Sequence, residues 1–358
     1  MAPEGSLRRW RQKSSDEDAL TAVIEFLSAF VLFLVIVSAF LALSQLKLGS
    51  NVPDSDRLDE MAIDGLERLT DSKGQVVIRE NGNRNVSSAT ENWHFLSASE
   101  LLNSDYLPAI GDGNGHIDPV RVSALSNVTE DRLIRGLGLK SWMSLNLTIT
   151  IIDSSEPDRV GVELFADGSA RSYANRGSTA TRIMHMGAED VRVTLEVHDG
   201  GRNPSKIQIT EIMIDPLNGP PEWVELENPD GFAVNLSGWS LSRPGAFTML
   251  GDGALAGGTR AICTGNGDLQ YNPNNAMEID LGSSGVLGSG IIDSLEVSGG
   301  TIVLGWTEPG TANTMTIMEF TWDYTWNIAT NNSMTYDLNG SPNSVENWTP
   351  MDVGTPGW

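Results

Sequence analysis

Cysteine is nearly absent: Cys263 is the single one in 358 residues, so no internal disulfide can form and the fold must be held by its hydrophobic cores. It lies in the strand-like run Arg260–Thr264, which reads as a place for a small buried apolar side chain, with a nucleophile as the alternative. Histidine is scarce too. His94, His116, His185 and His198 belong to no HExxH motif and no Cys/His cluster of zinc-ligand spacing, so a metalloenzyme is not indicated. A GxSxG elbow and a Walker A loop are missing. Glycine-rich runs such as Gly251-Asp252-Gly253 and Gly136-Leu137-Gly138 lack the strand-turn-helix setting of a nucleotide fingerprint and read as turns. Basic residues are few. The 23 Lys and Arg face 47 Asp and Glu, a formal charge of -24 that repels phosphate backbones and excludes nucleic acid as a favoured partner. Carboxylates are so abundant that no pair stands out as a glycosidase couple.

What the chain holds in quantity is apolar and turn-forming residues. A hydrophobic fraction of 40% suffices for packed cores, and 37 glycines with 16 prolines, mostly in short clusters, favour the turns of β structure over helical bundles. The length fits two domains and a membrane segment rather than one core.

From Phe26 to Leu43 the run FLSAFVLFLVIVSAFLAL carries no charge, enough with its flanks to span a bilayer core of about 30 Å as a helix. Arg8, Arg9, Arg11 and Lys13 precede it, whereas Lys47 and Arg57 are the only nearby basic residues after it. The positive-inside rule therefore puts the N-terminus in the cytoplasm and the bulk of the chain outside. A cleaved signal peptide is the competing reading, since Ala42-Leu43-Ser44 offers a small-x-small site. Glu25, at the cytoplasmic edge in Thr21-Ala22-Val23-Ile24-Glu25-Phe26, is an ionisable group beside lipid that needs an interfacial position or a partner. The stretch resembles the N-terminal helix of type IV pilins and archaeal pilin-like proteins. The resemblance implies that Glu25 pairs with a neighbouring subunit's amino terminus, although no Lys or Arg followed by Gly or Ala stands before the run as a prepilin-peptidase site requires.

The expected organisation is a cytoplasmic N-terminus at 1–18, a transmembrane helix at 19–46, an α+β domain at 47–198, a linker at 199–205 and a β domain at 206–358. In the α+β domain, Leu58, Met61, Leu66 and Leu69 recur at helical spacing. Leu145, Leu147, Ile149 and Ile151 alternate with polar residues, as do Val191, Val193, Leu195 and Val197, which predicts antiparallel strands under that helix. Further short strands are expected within Val160–Ala166 and Arg171–Met186. Asp118 followed by Pro119 reads as an N-cap and first helical residue. Asp112, Asn114 and Asp118 are also spaced like the start of a calcium loop, but Ile117 and Ser123 stand where Gly and Glu are needed, so a turn and a weak calcium site remain the alternatives. The run Gly115–Ser126, followed by Asp131-Arg132-Leu133 and Leu137-Gly138-Leu139, resembles a segment of archaeal membrane-anchored pilin-like proteins.

Beyond the Gly- and Pro-containing run Asp199–Ser205 the texture changes to short strands between Gly-rich turns, expected at Ile207–Ile214, Glu222–Glu227, Trp239–Leu241, Arg260–Thr264, Ile291–Val297, Thr301–Trp306 and Met315–Trp322. Three motifs occur in order: Ile209-Thr210-Glu211-Ile212-Met213 before Asp215-Pro216, then Glu222-Trp223-Val224-Glu225-Leu226-Glu227-Asn228, then Leu236-Ser237-Gly238-Trp239-Ser240-Leu241. With Ser333-Met334-Thr335-Tyr336-Asp337, Trp348 and Thr355-Pro356-Gly357, this region resembles the lamin tail domain. That resemblance implies an immunoglobulin-like sandwich serving as a binding or scaffolding module. Trp239 is expected as a core anchor, and Glu211 and Glu225 as acceptors of backbone donors at strand ends or turns. Trp322, Tyr324 and Trp326 alternate with Asp323 and Thr325, so on a strand they share one face, either as core or as an exposed aromatic binding platform.

Glycosylation acceptor triplets start at Asn85, Asn127, Asn146, Asn235 and Asn331, and a sixth at Asn347 is weakened by Pro350. The fold class expected is mainly β: a transmembrane helix, a small pilin-like α+β domain and an immunoglobulin-like sandwich. The function expected is that of a non-enzymatic, membrane-anchored surface protein presenting the sandwich to an envelope protein or glycan, without a cofactor. The alternatives are a minor subunit of a type IV pilus-like filament and an undetected hydrolase or calcium-dependent enzyme.

Overall fold

The computed structural model describes residues 20–41, 52–80, 83–84, 89–200, 206–214, 216, 222–265, 272, 276–282, 286–287, 295, 298–307, 312, 314–329, 331–338, 340–341, 344–351 and 354. Strand outweighs helix among them, so the fold is mainly β. The chain divides into two compact units, residues 1–58 and 59–358.

In the first unit, α1 (Leu20–Leu41) has 22 residues, all apolar except Thr21, Glu25, Ser28 and Ser38. The Ser28 hydroxyl is satisfied within the helix, donating to the Ile24 carbonyl at 2.7 Å. The helix is long and apolar enough to cross a membrane, a measure that an N-terminal signal sequence also meets.

The second unit opens within α2 (Val52–Asp71), where Ala62, Leu66 and Leu69 are buried and Met61 is half-buried. Gly65 brings this helix close to the sheet beneath, since a Cβ there would stand 3.1 Å from Leu195. A small sheet of order β2-β1-β3 follows, made of β1 (Gln75–Glu80), β2 (Asn83–Arg84) and β3 (Ser104–Leu107). The short helix α3 (Ala98–Leu102) starts in a capping box between Ser97 and Glu100. Two more short helices, α4 (Pro119–Ser123) and α5 (Glu130–Gly136), precede the main sheet. As expected, Asp118 caps α4, accepting the Val120 N–H at 2.9 Å, and Pro119 occupies its first turn.

The main sheet is antiparallel with order β5-β4-β7-β6, from β4 (Ser144–Asp153), β5 (Glu163–Gly168), β6 (Gly177–Met186) and β7 (Glu189–His198). The expected alternation places Leu145, Leu147, Ile149, Ile151, Val191, Val193, Leu195 and Val197 in the core, each without exposed area.

After residue 205 the chain builds two facing sheets. One has six strands in the order β15-β14-β9-β8-β18-β19: β8 (Gln208–Met213), β9 (Trp223–Glu227), β14 (Arg260–Thr264), β15 (Met277–Asp280), β18 (Ser333–Tyr336) and β19 (Trp348–Met351). The other has four in the order β12-β11-β16-β17: β11 (Trp239–Arg243), β12 (Ala246–Met249), β16 (Gly299–Thr307) and β17 (Thr314–Asp323). A two-residue pair, β10 (Val234–Asn235) with β13 (Ala254–Leu255), lies beside them. Among the described strands of these sheets pairing is antiparallel except between β14 and β15. The core holds Ile209, Ile212, Val224, Leu226, Trp239, Cys263, Phe320, Trp322 and Trp348. Gly238 is required at the entrance to β11: its φ is 89° and a Cβ would meet the Thr307 carbonyl oxygen at 2.6 Å. Of the strand expected at Ile291–Val297 only Leu295 is described, buried at a bend, and most of the linker expected at 199–205 lies outside the described residues; the segments on either side of that linker fall within one compact unit.

Candidate functional site

A cleft of about 360 Å³ opens where the α+β part meets the sandwich, lined by Arg132 and Arg135 from α5, Asp167 from β5, and Lys206, Asp230 and Asn235. Its walls are drawn from segments far apart in sequence and are joined by backbone. The Ala233 N–H donates to the Val128 carbonyl at 3.0 Å, and the Gly257 N–H to that of Ser126 at 2.8 Å. Thr129 and Ala233 form a parallel bridge. Phe165 and Phe232 meet with ring centroids 5.0 Å apart, adding an apolar contact.

The Asp230-Gly231-Phe232 loop is held from both sides. Asn228, fully buried, donates through Nδ2 to the carbonyls of Phe232, Leu255 and Ala256 at 2.9, 3.1 and 3.1 Å. Its Oδ1 accepts the Asp230 N–H at 3.2 Å. Lys206 reaches Asp230 twice, by its backbone N–H and by Nζ, both at 3.1 Å. Asp167 Oδ2 accepts the Phe232 N–H at 2.7 Å. Burial pushes the Asp167 carboxyl above its ordinary value; hydrogen bonds from the Phe232 and Gly168 backbone and the charge of Lys206 oppose that, while Asp230 adds to it.

Arg132 donates to the Leu102 carbonyl at 3.1 Å and lies over the Tyr106 ring, 6.0 Å from its centroid. Burial pushes the Tyr106 hydroxyl up to about 12. Guanidinium groups, carboxylates and an exposed amide thus face solvent in one concave surface. Such a surface offers hydrogen-bond donors and acceptors to solvent; its lining side chains contain no pairing of a nucleophile with a histidine base.

The residues singled out in sequence are dispersed. Asp112 Oδ1 accepts the N–H groups of Asn114 and His116 at 2.6 and 3.1 Å, Asp118 caps α4 and contacts Arg121 at 3.2 Å, and these bonds make a turn and a helix start. The Asn114 and His116 contacts, with Asn114 the largest, hold the Asp112 carboxyl below its usual range. Among the described residues, no group of three or more His, Cys, Asp or Glu is arranged to hold a metal. Glu25 lies in α1, exposed. Of the acceptor asparagines, Asn85 lies outside the described residues and Asn127, Asn146, Asn331 and Asn347 are half-buried. Asn127 donates to the Leu96 carbonyl at 3.3 Å. Asn235 is exposed, at the cleft, with Oδ1 accepting the Ser237 N–H at 2.9 Å.

The aromatic alternation does not form one face. β17 ends at Asp323, whose carboxylate accepts the Thr325 N–H at 2.8 Å and turns the chain into a short 3-10 helix, Tyr324–Trp326. Trp322 is 2% exposed and Tyr324 79%, while Trp326 is half-buried edge-on to Phe320 at 5.3 Å. The two glutamates expected to accept backbone donors at strand ends or turns lie within β8 and β9 and accept side-chain donors there. Glu225 accepts from the Thr210 hydroxyl at 2.6 Å and from Arg260 at 2.9 Å, and Glu211 accepts from Ser333. Glu222 supplies the backbone role, accepting the Leu295 N–H at 2.8 Å.

The cleft was missed in sequence because its lining comes from five separated segments. Asp167 had one local sign, a carboxylate at the end of a strand before Gly168, whose φ is 131°. No curated protein and no solved structure matches the chain. Residues 201–308 match the family model of the Lamin Tail Domain, a non-enzymatic immunoglobulin-like family, and the two facing sheets of this region agree with that match.

Proposed function

We propose that the chain is a membrane-anchored interaction and scaffolding protein of the cell surface, with its N-terminus cytoplasmic, that presents a lamin-tail-type sandwich to an envelope protein or glycan. The reading rests chiefly on one observation: an apolar 22-residue helix and a Lamin Tail Domain match stand in the same chain. Arg8, Arg9, Arg11 and Lys13 before the span, against only Lys47 and Arg57 close behind it, favour export of the bulk. The backbone bonds that tie Val128 and Ser126 to the sandwich support its role as a display module held on the α+β part rather than on a loose tether. The mixed-charge cleft at that junction is the surface on which a polar partner is best accommodated, and Asn235 at it is the most accessible glycan acceptor among the described asparagines.

The test is cross-linking on intact cells carrying the full chain, with the cleft variant Arg132→Glu/Arg135→Glu in parallel. A discrete adduct with an envelope protein or glycan, diminished in the variant, is expected. Adducts only between copies of the chain, together with a new amino terminus around residues 19 to 21, would replace this reading with the pilus-like filament subunit, in which Glu25 pairs with a processed terminus.

A further inference from the structure

We propose that His116 and His185 form a surface site for a divalent transition-metal ion of the imidazole-binding class, zinc or copper(II), with Asp190 orienting the His185 ring. β6 is the outer strand of the four-stranded sheet, and its open edge is met by the loop that precedes α4. The Ile117 N–H donates to the His185 carbonyl at 2.8 Å, and His116 and His185 are partners in a parallel bridge. The loop is itself closed, because the Asp112 N–H donates to the His116 carbonyl at 2.9 Å and Gly111 bridges Ile117. Both histidines therefore stand on backbone fixed by hydrogen bonds.

Their rings lie side by side, with centroids 6.1 Å apart and planes inclined at 59°. The His185 ring turns Nδ1 into a hydrogen bond with Asp190, its register partner on β7, while His116 Nδ1 stands 3.7 Å from Asp112, beyond hydrogen-bond distance. A neutral imidazole that donates its Nδ1 proton to a carboxylate presents Nε2 as a lone-pair donor, which is the tautomer that binds metal. A carboxylate on the far nitrogen also raises the basicity of the ligating one. Metal–nitrogen bonds of about 2.0–2.1 Å require the two Nε2 atoms to converge on one point. The side chains are 54% and 68% exposed, so small rotations of the rings meet no packed wall.

Two histidines make half of a tetrahedral set, and water or a partner's side chain completes it. The donor type decides the class of ion: imidazole nitrogen favours zinc and copper over calcium or magnesium. Occupancy would staple the loop to β6 and stabilise the folded chain by mass action.

The experiment is isothermal titration of the full chain in detergent with zinc chloride, in excess calcium chloride to occupy non-specific carboxylates. His116→Ala, His185→Ala, Asp190→Asn and His94→Gln are titrated alongside, and circular dichroism checks that each is folded. One equivalent is expected to bind, to be lost in either alanine variant, to weaken roughly 10–100-fold in Asp190→Asn, and to be unchanged in His94→Gln. With copper(II), electron paramagnetic resonance is expected to show nitrogen coupling that disappears in the alanine variants. Absence of a zinc isotherm in the unaltered chain, or binding that survives both alanine substitutions, would overturn the proposal.

Discussion

Asp167 and Phe232 join the two parts of the second unit: the carboxylate accepts the Phe232 backbone N–H at 2.7 Å. The carboxyl is raised, first by burial, above an ordinary aspartate value of about 3.9. A raised acid binds its proton more readily folded than unfolded. Its contribution to stability is therefore present below the ordinary value and is lost as pH rises through the folded value. Asp167→Asn keeps an oxygen for Phe232 and removes the ionisation, so its denaturant midpoint is expected to lack that downward step. Asp167→Ala orphans the Phe232 N–H and is expected to cost about 1–3 kcal/mol at any pH. Chemical denaturation at pH 4 and pH 7 measures both.

Trp322 and Tyr324 separate by two residues and by opposite fates. Trp322 stacks on Phe320 with centroids 5.2 Å apart in the sandwich core, and Tyr324 is 79% exposed. Trp322→Ala is expected to cost about 3–5 kcal/mol. Tyr324→Ala is expected to stay within about 0.5 kcal/mol of the unaltered chain. Equal losses in the two variants would contradict the placement of the strand end at Asp323.

Glu225 is fully buried with Arg260 and the Thr210 hydroxyl as partners. Removing its carboxylate takes the buried acceptor from the Thr210 hydroxyl and from Arg260, which is partly exposed and keeps Glu227 at 3.9 Å, so Glu225→Ala is expected to cost about 1–3 kcal/mol by equilibrium unfolding. Glu225→Gln retains an acceptor for Thr210 and is expected to lose less.

Cys263 has no exposed area, and burial pushes its thiol well above the usual range. The folded chain is expected to be inert to a thiol-reactive disulfide reagent and to release one thiol when denatured. Cys263→Ser places a hydroxyl in an apolar core and is expected to cost about 1–3 kcal/mol.

The elements that sequence revealed are those whose own side chains carry the pattern. β4 and β7 alternate strictly, and the motif around Trp239 announces a turn glycine and a core anchor in adjacent positions. β8 is harder. A bulge between Ile209 and Glu211 shifts the register and Ile209–Met213 are all buried, so the strand expected at Ile207–Ile214 carries no clean alternation. β10 and β13 are two residues long, too short for any period. β15 pairs in parallel with β14 and owes its place to that neighbour rather than to its own composition. The aromatic run misled for a local reason: Asp323 accepts its own turn N–H and ends the strand inside the alternating pattern. The cleft and the His116–His185 pair depend on register between distant segments, which no short window contains.

The central claim is that lipid is the solvent of α1 and that the acidic remainder lies beyond it. The direct measurement is alkaline carbonate extraction of membranes from cells carrying the full chain, combined with protease added to intact cells. The account predicts that the chain stays in the pellet and that external protease removes everything beyond the span while leaving an N-terminal tag intact. Recovery of the full-length chain in the soluble fraction, protected from external protease, would contradict it.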